Sequence, residues 1–120
     1  MTISLVTGGA GFIGSHIVEQ LISLGHEVVV VDNEYSDNEN FYWRKDTYNV
    51  NIDITDKALK NAFTNVDYVF HLAAEARIGP AIENPVNAVN INTIGTCNVL
   101  QCAREAGVKK VMYSSTSSGY

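Results

Sequence analysis

Short apolar runs alternate along the chain with segments of helical periodicity. Four of these runs have the length and composition of strands buried on both faces, and they occupy residues 3–6, 28–31, 66–72 and 108–112. Between the first two, residues 12–24 repeat isoleucine and leucine at helical spacing, and Gly25 follows as a stop signal. The pattern therefore predicts a strand, a helix and a second strand at the start of the chain.

The alternation continues to the end of the sequence. It predicts a long surface loop, a weak strand, a short helix and a long helix, at residues 33–46, 48–52, 56–63 and 85–106. Parallel strands need crossover connections, and these are right-handed. The sequence therefore predicts an α/β fold, a doubly wound parallel sheet in three layers that is truncated after about five strands.

Size and composition fit one folded domain. The chain has 120 residues, of which 46% are hydrophobic and 18% are charged, and this supports a single core. A net charge of −5 without a basic run disfavours nucleic acid and membranes as partners. Residues 1–6 carry neither a basic leader nor a membrane span, so we expect a cytoplasmic protein. We expect Cys97 and Cys102 to be reduced and buried, because two cysteines are too few for a disulfide framework or a zinc site.

A glycine-rich turn separates the first strand from the first helix. Gly8 permits a tight turn, Gly11 lets backbone amides approach a pyrophosphate, and Gly14 lets the helix pack close to the sheet. The helix begins at Phe12 and Ile13, and its N-terminus faces the anion. A strand-to-helix turn without a ligand is the alternative. The setting favours a dinucleotide site of the Rossmann type.

An acidic residue ends the second strand. Asp32 follows the glycine turn by about 20 residues, where a carboxylate accepts hydrogen bonds from the adenosine ribose. A 2′-phosphate would meet this negative charge, and the next basic residues are Arg44 and Lys45. A solvated acidic strand end is the alternative. The position favours NAD over NADP as the cofactor.

Residues 7–14 read Thr-Gly-Gly-Ala-Gly-Phe-Ile-Gly, and this spacing resembles the opening motif of the extended short-chain dehydrogenase/reductase family. The likeness is to the N-terminal portion of its NAD-dependent nucleotide-sugar epimerases and dehydratases, of the UDP-glucose 4-epimerase type. Four further segments resemble motifs of that family, in order: Asp53-Ile54, His71-Leu72-Ala73-Ala74, Asn92-Thr93-Ile94-Gly95-Thr96, and residues 113–120. The resemblance covers the whole chain and implies an NAD-binding Rossmann domain at residues 1–120.

The resemblance also implies roles for single residues. Thr116 matches the catalytic hydroxyl that bonds the sugar hydroxyl undergoing oxidation, although a Ser- and Thr-rich segment after a strand can be a plain loop. Asp53 matches a residue that contacts adenine, with a turn or helix-capping role as the alternative, and Asn92 is either close to the cofactor or solvated. We expect His71 to be satisfied within the fold, without a chemical role. The implied cofactor-binding residues are Gly8, Gly11, Phe12, Ile13, Gly14, Asp32, Asn33, Asp53, Ile54, Leu72, Ala73, Ala74, Asn92 and Ser114.

A Tyr-x-x-x-Lys pair, which supplies the catalytic base in this family, does not occur in the sequence. We therefore expect residues 1–120 to form an incomplete domain that lacks the C-terminal substrate-binding region. By itself such a chain would bind NAD weakly and would not turn over a sugar nucleotide.

These features together predict the NAD-binding portion of a nucleotide-sugar epimerase or dehydratase. A 4-epimerase, which transiently oxidises a sugar hydroxyl to a ketone, is favoured because Ser117-Ser118 stand where a dehydratase has an Asp-Glu pair. The implied partners are a nucleotide-sugar substrate in a complete enzyme and either a second copy, in a homodimer, or a complementing C-terminal chain. The alternative is a non-catalytic module that binds NAD or another protein.

Overall fold

Five parallel strands form one sheet within residues 1–34, 41–73 and 82–114, which are the residues that the computed structural model describes. The strands lie in the order β3-β2-β1-β4-β5. Their bounds are β1 Ile3–Thr7, β2 Glu27–Asp32, β3 Tyr48–Asn51, β4 Tyr68–His71 and β5 Lys110–Tyr113.

Helical segments connect these strands. Helix α1 (Phe12–Ser23) links β1 to β2, and a 3₁₀ helix (Lys57–Phe63) lies between β3 and β4. Before β5 the chain forms α2 (Pro85–Val89), a π-helical turn (Asn90–Gly95) and α3 (Thr96–Ala106). In the part of the chain described, no helix is long and apolar enough to cross a membrane.

The core has two halves, one on each face of the sheet. Successive strand residues point to opposite faces, so β1 sends Leu5 to one half and Val6 to the other. The first half packs under α3 and the 3₁₀ helix, and the second packs under α1. This arrangement confirms the predicted doubly wound α/β sheet in three layers.

The strand order places β1 between β2 and β4, so the chain reverses its direction across the sheet at β1. Thr7, the last residue of β1, lies opposite Val31 on one side and His71 on the other. Asp32 ends β2 opposite Asn51 in the same way. The carboxyl ends of the strands therefore meet at one edge, and open α/β sheets bind their ligands at such a switch point.

Two predicted helices differ in detail from the structure. The short helix is a 3₁₀ helix whose N-cap, Asp56, accepts a hydrogen bond from the Ala58 amide at 2.8 Å. The long helix predicted over residues 85–106 is interrupted by the π-helical turn. Gly95 ends that turn against Ile54, whose Cδ1 would lie 2.5 Å from an added Cβ.

The two cysteines occupy opposite sides of α3. Cys102 is buried in the core, as predicted, whereas the predicted burial of Cys97 is wrong because this residue is exposed. Residues 99, 102 and 103 form the buried side of α3. Cys97 precedes them on the side that faces away from the sheet.

Candidate cofactor site

The turn after β1 is held against β2 by its first glycine. Gly8 has φ +71°, a left-handed conformation that favours glycine. Its amide donates a hydrogen bond to the Val31 carbonyl at 2.7 Å, and its carbonyl accepts one from the Gly11 amide at 3.2 Å. The turn is therefore a rigid extension of the strand ends.

The other glycines of the turn differ in what surrounds them. A Cβ on Gly14 would lie 2.1 Å from the Gly8 carbonyl oxygen, so α1 packs directly on the turn. A Cβ on Gly9 would lie 2.7 Å from Val30 Cγ1. A Cβ on Gly11 would meet only the Gly8 oxygen, at 3.4 Å, so this glycine faces open space. The turn is tightly packed on the protein side and leaves its outer side accessible.

Helix α1 begins at this open side. Phe12 and Ile13 form its first turn with exposed side chains, and no side chain caps the helix. The first N–H groups of a helix lack intrahelical partners, and the helix dipole favours a negative charge there. The open glycine and these amides together form a cradle for an anion such as a pyrophosphate.

The Asp32 carboxylate is fixed at the end of β2. It is 9% exposed, and its two oxygens accept hydrogen bonds from the Ala10 amide at 3.1 Å and the Glu34 amide at 2.8 Å. A carboxylate oxygen has two lone pairs, so each retains capacity for a further donor. Asp32 is thus an oriented acceptor beside the glycine turn.

Asn33 and Asp53 are joined at the neighbouring strand end. The side-chain Nδ2 of Asn33 donates a hydrogen bond to Asp53 Oδ2 at 3.1 Å. Asp53 Oδ1 accepts from the Thr55 backbone amide at 2.8 Å and from its hydroxyl at 2.7 Å, which are contacts within a turn, and contact of Asp53 with adenine stays a prediction. Ile54 turns its side chain into the core. Asp53 therefore stabilises the loop that flanks the site.

A buried histidine connects β1, β4 and α3. His71 is 2% exposed, its Nδ1 lies 2.7 Å from Thr7 Oγ1, and its Nε2 lies 2.8 Å from Thr96 Oγ1. Thr7 Oγ1 also accepts hydrogen bonds from the Leu72 amide at 3.0 Å and the Ala73 amide at 3.1 Å. Burial lowers the pKa of His71 to about 4. His71 is satisfied within the fold, as the sequence predicts.

Three of the remaining predicted residues lie around this network. Leu72 and Ala73 lie against the glycine turn, since a Cβ on Gly8 would be 3.1 Å from the Ala73 nitrogen. Ser114 follows β5, and its amide donates to the His71 carbonyl at 3.2 Å. The exposed Asn92 belongs to the π-helical turn. Ala74 and Thr116 lie outside the described residues.

The structure thus brings Gly8, Asp32 and the Leu72–Ala73 pair to one edge of the sheet. Two residues that support them were missed. Thr7 was recognised only as the first residue of the glycine motif, although its hydroxyl is a hydrogen-bonding centre, and Gly9 is required by its packing on Val30. The Gly-Gly pair in the sequence is a signal that could have identified Gly9.

Comparison with known proteins gives consistent results. Residues 4–120 match the family described as the NAD dependent epimerase/dehydratase family. The UDP-N-acetyl-alpha-D-glucosaminuronate decarboxylase of Bacillus cytotoxicus is 42% identical over 97% of this chain and 37% of its own length. The UDP-glucuronate 4-epimerase of Thermodesulfobacterium geofontis is 42% identical over 97% of this chain and 40% of its own length.

A solved structure of a related enzyme has the same fold as this chain. The crystal structure of Thermus thermophilus UDP-glucose 4-epimerase in complex with NAD superposes with a TM-score of 0.84 and 39% identity. That match covers 96% of this chain and 38% of the other. This chain therefore spans 37% to 40% of the length of the curated relatives described above.

NAD, the cofactor predicted from the sequence, is the cofactor in the family's description. The fold, the cradle and these matches together show that the chain belongs to the NAD-dependent epimerase/dehydratase family.

Proposed function

We propose that this chain is the NAD-binding portion of a nucleotide-sugar 4-epimerase. One observation carries the proposal: the glycine turn, the Asp32 carboxylate and the Leu72–Ala73 segment meet at the switch point of the sheet. Ligands of open α/β sheets bind there. Each oxygen of Asp32 accepts one backbone hydrogen bond and has capacity for a further donor, which a ribose hydroxyl would supply.

The residues at this edge fit a dinucleotide. The pyrophosphate would lie over Gly11 and the first amides of α1, where an added Cβ meets only the carbonyl oxygen of Gly8. The adenosine ribose would bond to Asp32, with Asn33 and Asp53 beside the adenine. Leu72, Ala73 and Ala74 would run beneath the cofactor, with Asn92 and Ser114 close to it. When bound, NAD supplies the hydride acceptor and donor of the reaction.

The sugar chemistry is proposed from the relatives. A 4-epimerase removes a hydride from carbon and a proton from oxygen of a sugar carbinol, which gives a ketone, and then returns the hydride to the opposite face of that carbon and the proton to the oxygen. Thr116 would bond the reacting sugar hydroxyl. Because the sequence contains no Tyr-x-x-x-Lys pair, we propose that these 120 residues bind NAD without turning over substrate.

NAD binding is tested by titrating the purified chain with NAD and NADP and measuring its thermal unfolding. NAD raises the midpoint more than NADP, because ligand binding to the folded state stabilises it. Asp32→Ala removes most of the NAD effect, while Glu105→Ala on α3 keeps it. Equal stabilisation by both dinucleotides, or an unchanged response of Asp32→Ala, would refute the ribose assignment.

The reaction is tested with the protein encoded by the complete reading frame that contains this sequence. Incubation with UDP-glucose is expected to yield UDP-galactose, with no net change in NAD. Release of carbon dioxide from UDP-glucuronic acid, without epimerisation of UDP-glucose, would assign a decarboxylase instead. The 120-residue chain is the matched control and is expected to convert neither substrate.

We also propose that a second copy of the chain is a partner. Val86, Val89 and Ile94 are each more than half exposed on α2 and the π-helical turn. The π-helical turn buries residues 91 and 95, and α3 buries residue 99. A helix that is apolar on both sides is normally covered on both.

A further inference from the structure

The residue two positions after Asp32 has an unusual backbone and a fixed side chain. Glu34 has φ +57°, which is rare for a residue with a side chain. Its amide donates to Asp32 Oδ1 at 2.8 Å. Its carboxylate accepts hydrogen bonds from Trp43 Nε1 at 3.3 Å and from Asn51 Nδ2 at 3.2 Å. The Glu34 carboxylate is therefore held against Asn51, which is the neighbour of Asp32 in the sheet.

The groups that hold Glu34 are themselves anchored. Trp43 packs against the half of the core under α1, and the neighbouring Tyr42 amide donates to the Ala10 carbonyl at 2.8 Å. Asn51 is the last residue of β3 and lies opposite Asp32 in the sheet. The Glu34 carboxylate is thus tied to the glycine turn on one side and to the strand end on the other.

We propose that Glu34 is a specificity-determining residue that disfavours NADP at this site, which rests on the proposed NAD-binding function. A 2′-phosphate carries a charge near −2 and would be placed beside the ribose acceptor Asp32. Glu34 adds a second negative charge at the same edge of the sheet, on the side chain of Asn51, and like charges repel. NAD carries a neutral hydroxyl there and avoids this repulsion.

The next cation along the chain is already paired with another carboxylate. Arg44 is the first basic residue after Asp32 in the sequence. Its guanidinium forms two 2.8 Å hydrogen bonds to the carboxylate of Asp46. A 2′-phosphate would have to compete with that carboxylate for Arg44, so the end of β2 stays negative.

The test measures NAD and NADP dissociation constants by NMR titration of the 120-residue chain, which reports weak binding. The readout is the ratio of the NADP constant to the NAD constant. Glu34→Gln is expected to lower this ratio about fivefold at low salt. Trp43→Phe keeps the charge but removes one of the two hydrogen bonds that hold the carboxylate, and it is expected to lower the ratio about twofold. Glu105→Gln makes the same change in net charge on α3 and is expected to leave the ratio unchanged.

The outcomes separate this inference from the proposed function. A chain that binds no NAD refutes the proposed function. A chain that binds NAD, but whose ratio is the same in Glu34→Gln, refutes the inference. An equal loss of both cofactors in Glu34→Gln also refutes it, because that result indicates a purely structural role. Raising the salt concentration is expected to shrink the difference between wild type and Glu34→Gln, since salt screens charges at the surface.

Discussion

At the scale of the residue, the hydrogen bonds of His71 define its protonation state. Thr7 Oγ1 accepts from the Leu72 and Ala73 amides, so both of its lone pairs are used. Its own hydrogen must then be donated to His71 Nδ1, and His71 Nε2–H donates to Thr96. The network therefore needs a neutral imidazole with its hydrogen on Nε2.

This requirement predicts a loss of stability in acid. The pKa of His71 is about 4 in the folded chain and 6.5 when unperturbed. Below pH 6.5 the unfolded chain binds a proton that the folded chain does not, so the free energy of unfolding falls as the pH drops toward 4. The loss attributable to His71 is about 2–3 kcal/mol. Urea unfolding at several pH values between 7 and 4 measures it.

The matched variants are His71→Gln, which cannot titrate, and His16→Gln, which changes an exposed histidine on α1. His16→Gln keeps the wild-type dependence on pH, whereas His71→Gln loses its main part. Hydrogen bonds from Arg44 and from the Ile3 amide lower the pKa values of Asp46 and Asp67, but these carboxylates are present in all three proteins. A His71→Gln chain with the wild-type slope would contradict the assignment.

At the scale of the element, the glycine turn combines a packing position with a ligand position. In Gly14→Ala the new Cβ would lie 2.1 Å from the Gly8 oxygen, so the backbone must shift, at a cost of about 1–3 kcal/mol. Gly11→Ala is expected to cost less than about 1 kcal/mol, because φ −79° suits alanine and the site is open. Its methyl group would instead occupy the cradle and weaken NAD binding at least about tenfold.

Thermal unfolding and an NAD titration of both variants separate the two roles. Gly14→Ala lowers the unfolding midpoint of the free chain, while Gly11→Ala changes mainly the response to NAD. The division of roles fails if Gly11→Ala binds NAD as wild type does, or if Gly14→Ala is as stable as wild type.

The elements themselves were largely predictable from the sequence. Strands β1 and β2 are buried on both faces, so their apolar runs identify them without tertiary information. The π-helical turn before α3 was not predictable, because Gly95 packs against Ile54, 41 positions earlier in the sequence. A periodicity of helical type does not reveal a single inserted residue.

The candidate site was likewise predictable only in part. Glycines between a strand and a helix are a local signal, and Asp32 lies at a fixed distance from them along the chain. The bond between Thr7 and His71 joins residues that are 64 positions apart. One of the hydrogen bonds that hold the Glu34 carboxylate comes from Asn51 in a different strand. Such contacts exist only once the strands are ordered in the sheet, so they could not be predicted from local patterns along the chain.

At the scale of the whole molecule, two surfaces offer contacts to a partner. In the described part of the chain, β5 is an edge strand with an unpaired outer side, and edge strands pair readily with other chains. Val86, Val89 and Ile94 expose an apolar surface on the helices before it. Val86 and Val89 lie on α2, and Ile94 lies on the π-helical turn that follows it directly.

We expect the helical surface to form the homodimer. Its large apolar side chains would bury more apolar surface on association than the backbone of β5 would, and burial of apolar surface drives association. Ile94→Glu places a charge in that surface and is expected to raise the dimer dissociation constant at least about tenfold. Sedimentation velocity over a range of chain concentrations measures the constant. Leu24→Glu is the control, since Leu24 is equally apolar and exposed but lies at the end of α1. If Ile94→Glu dimerises as strongly as wild type, association occurs through another surface, with the edge of β5 as the first candidate.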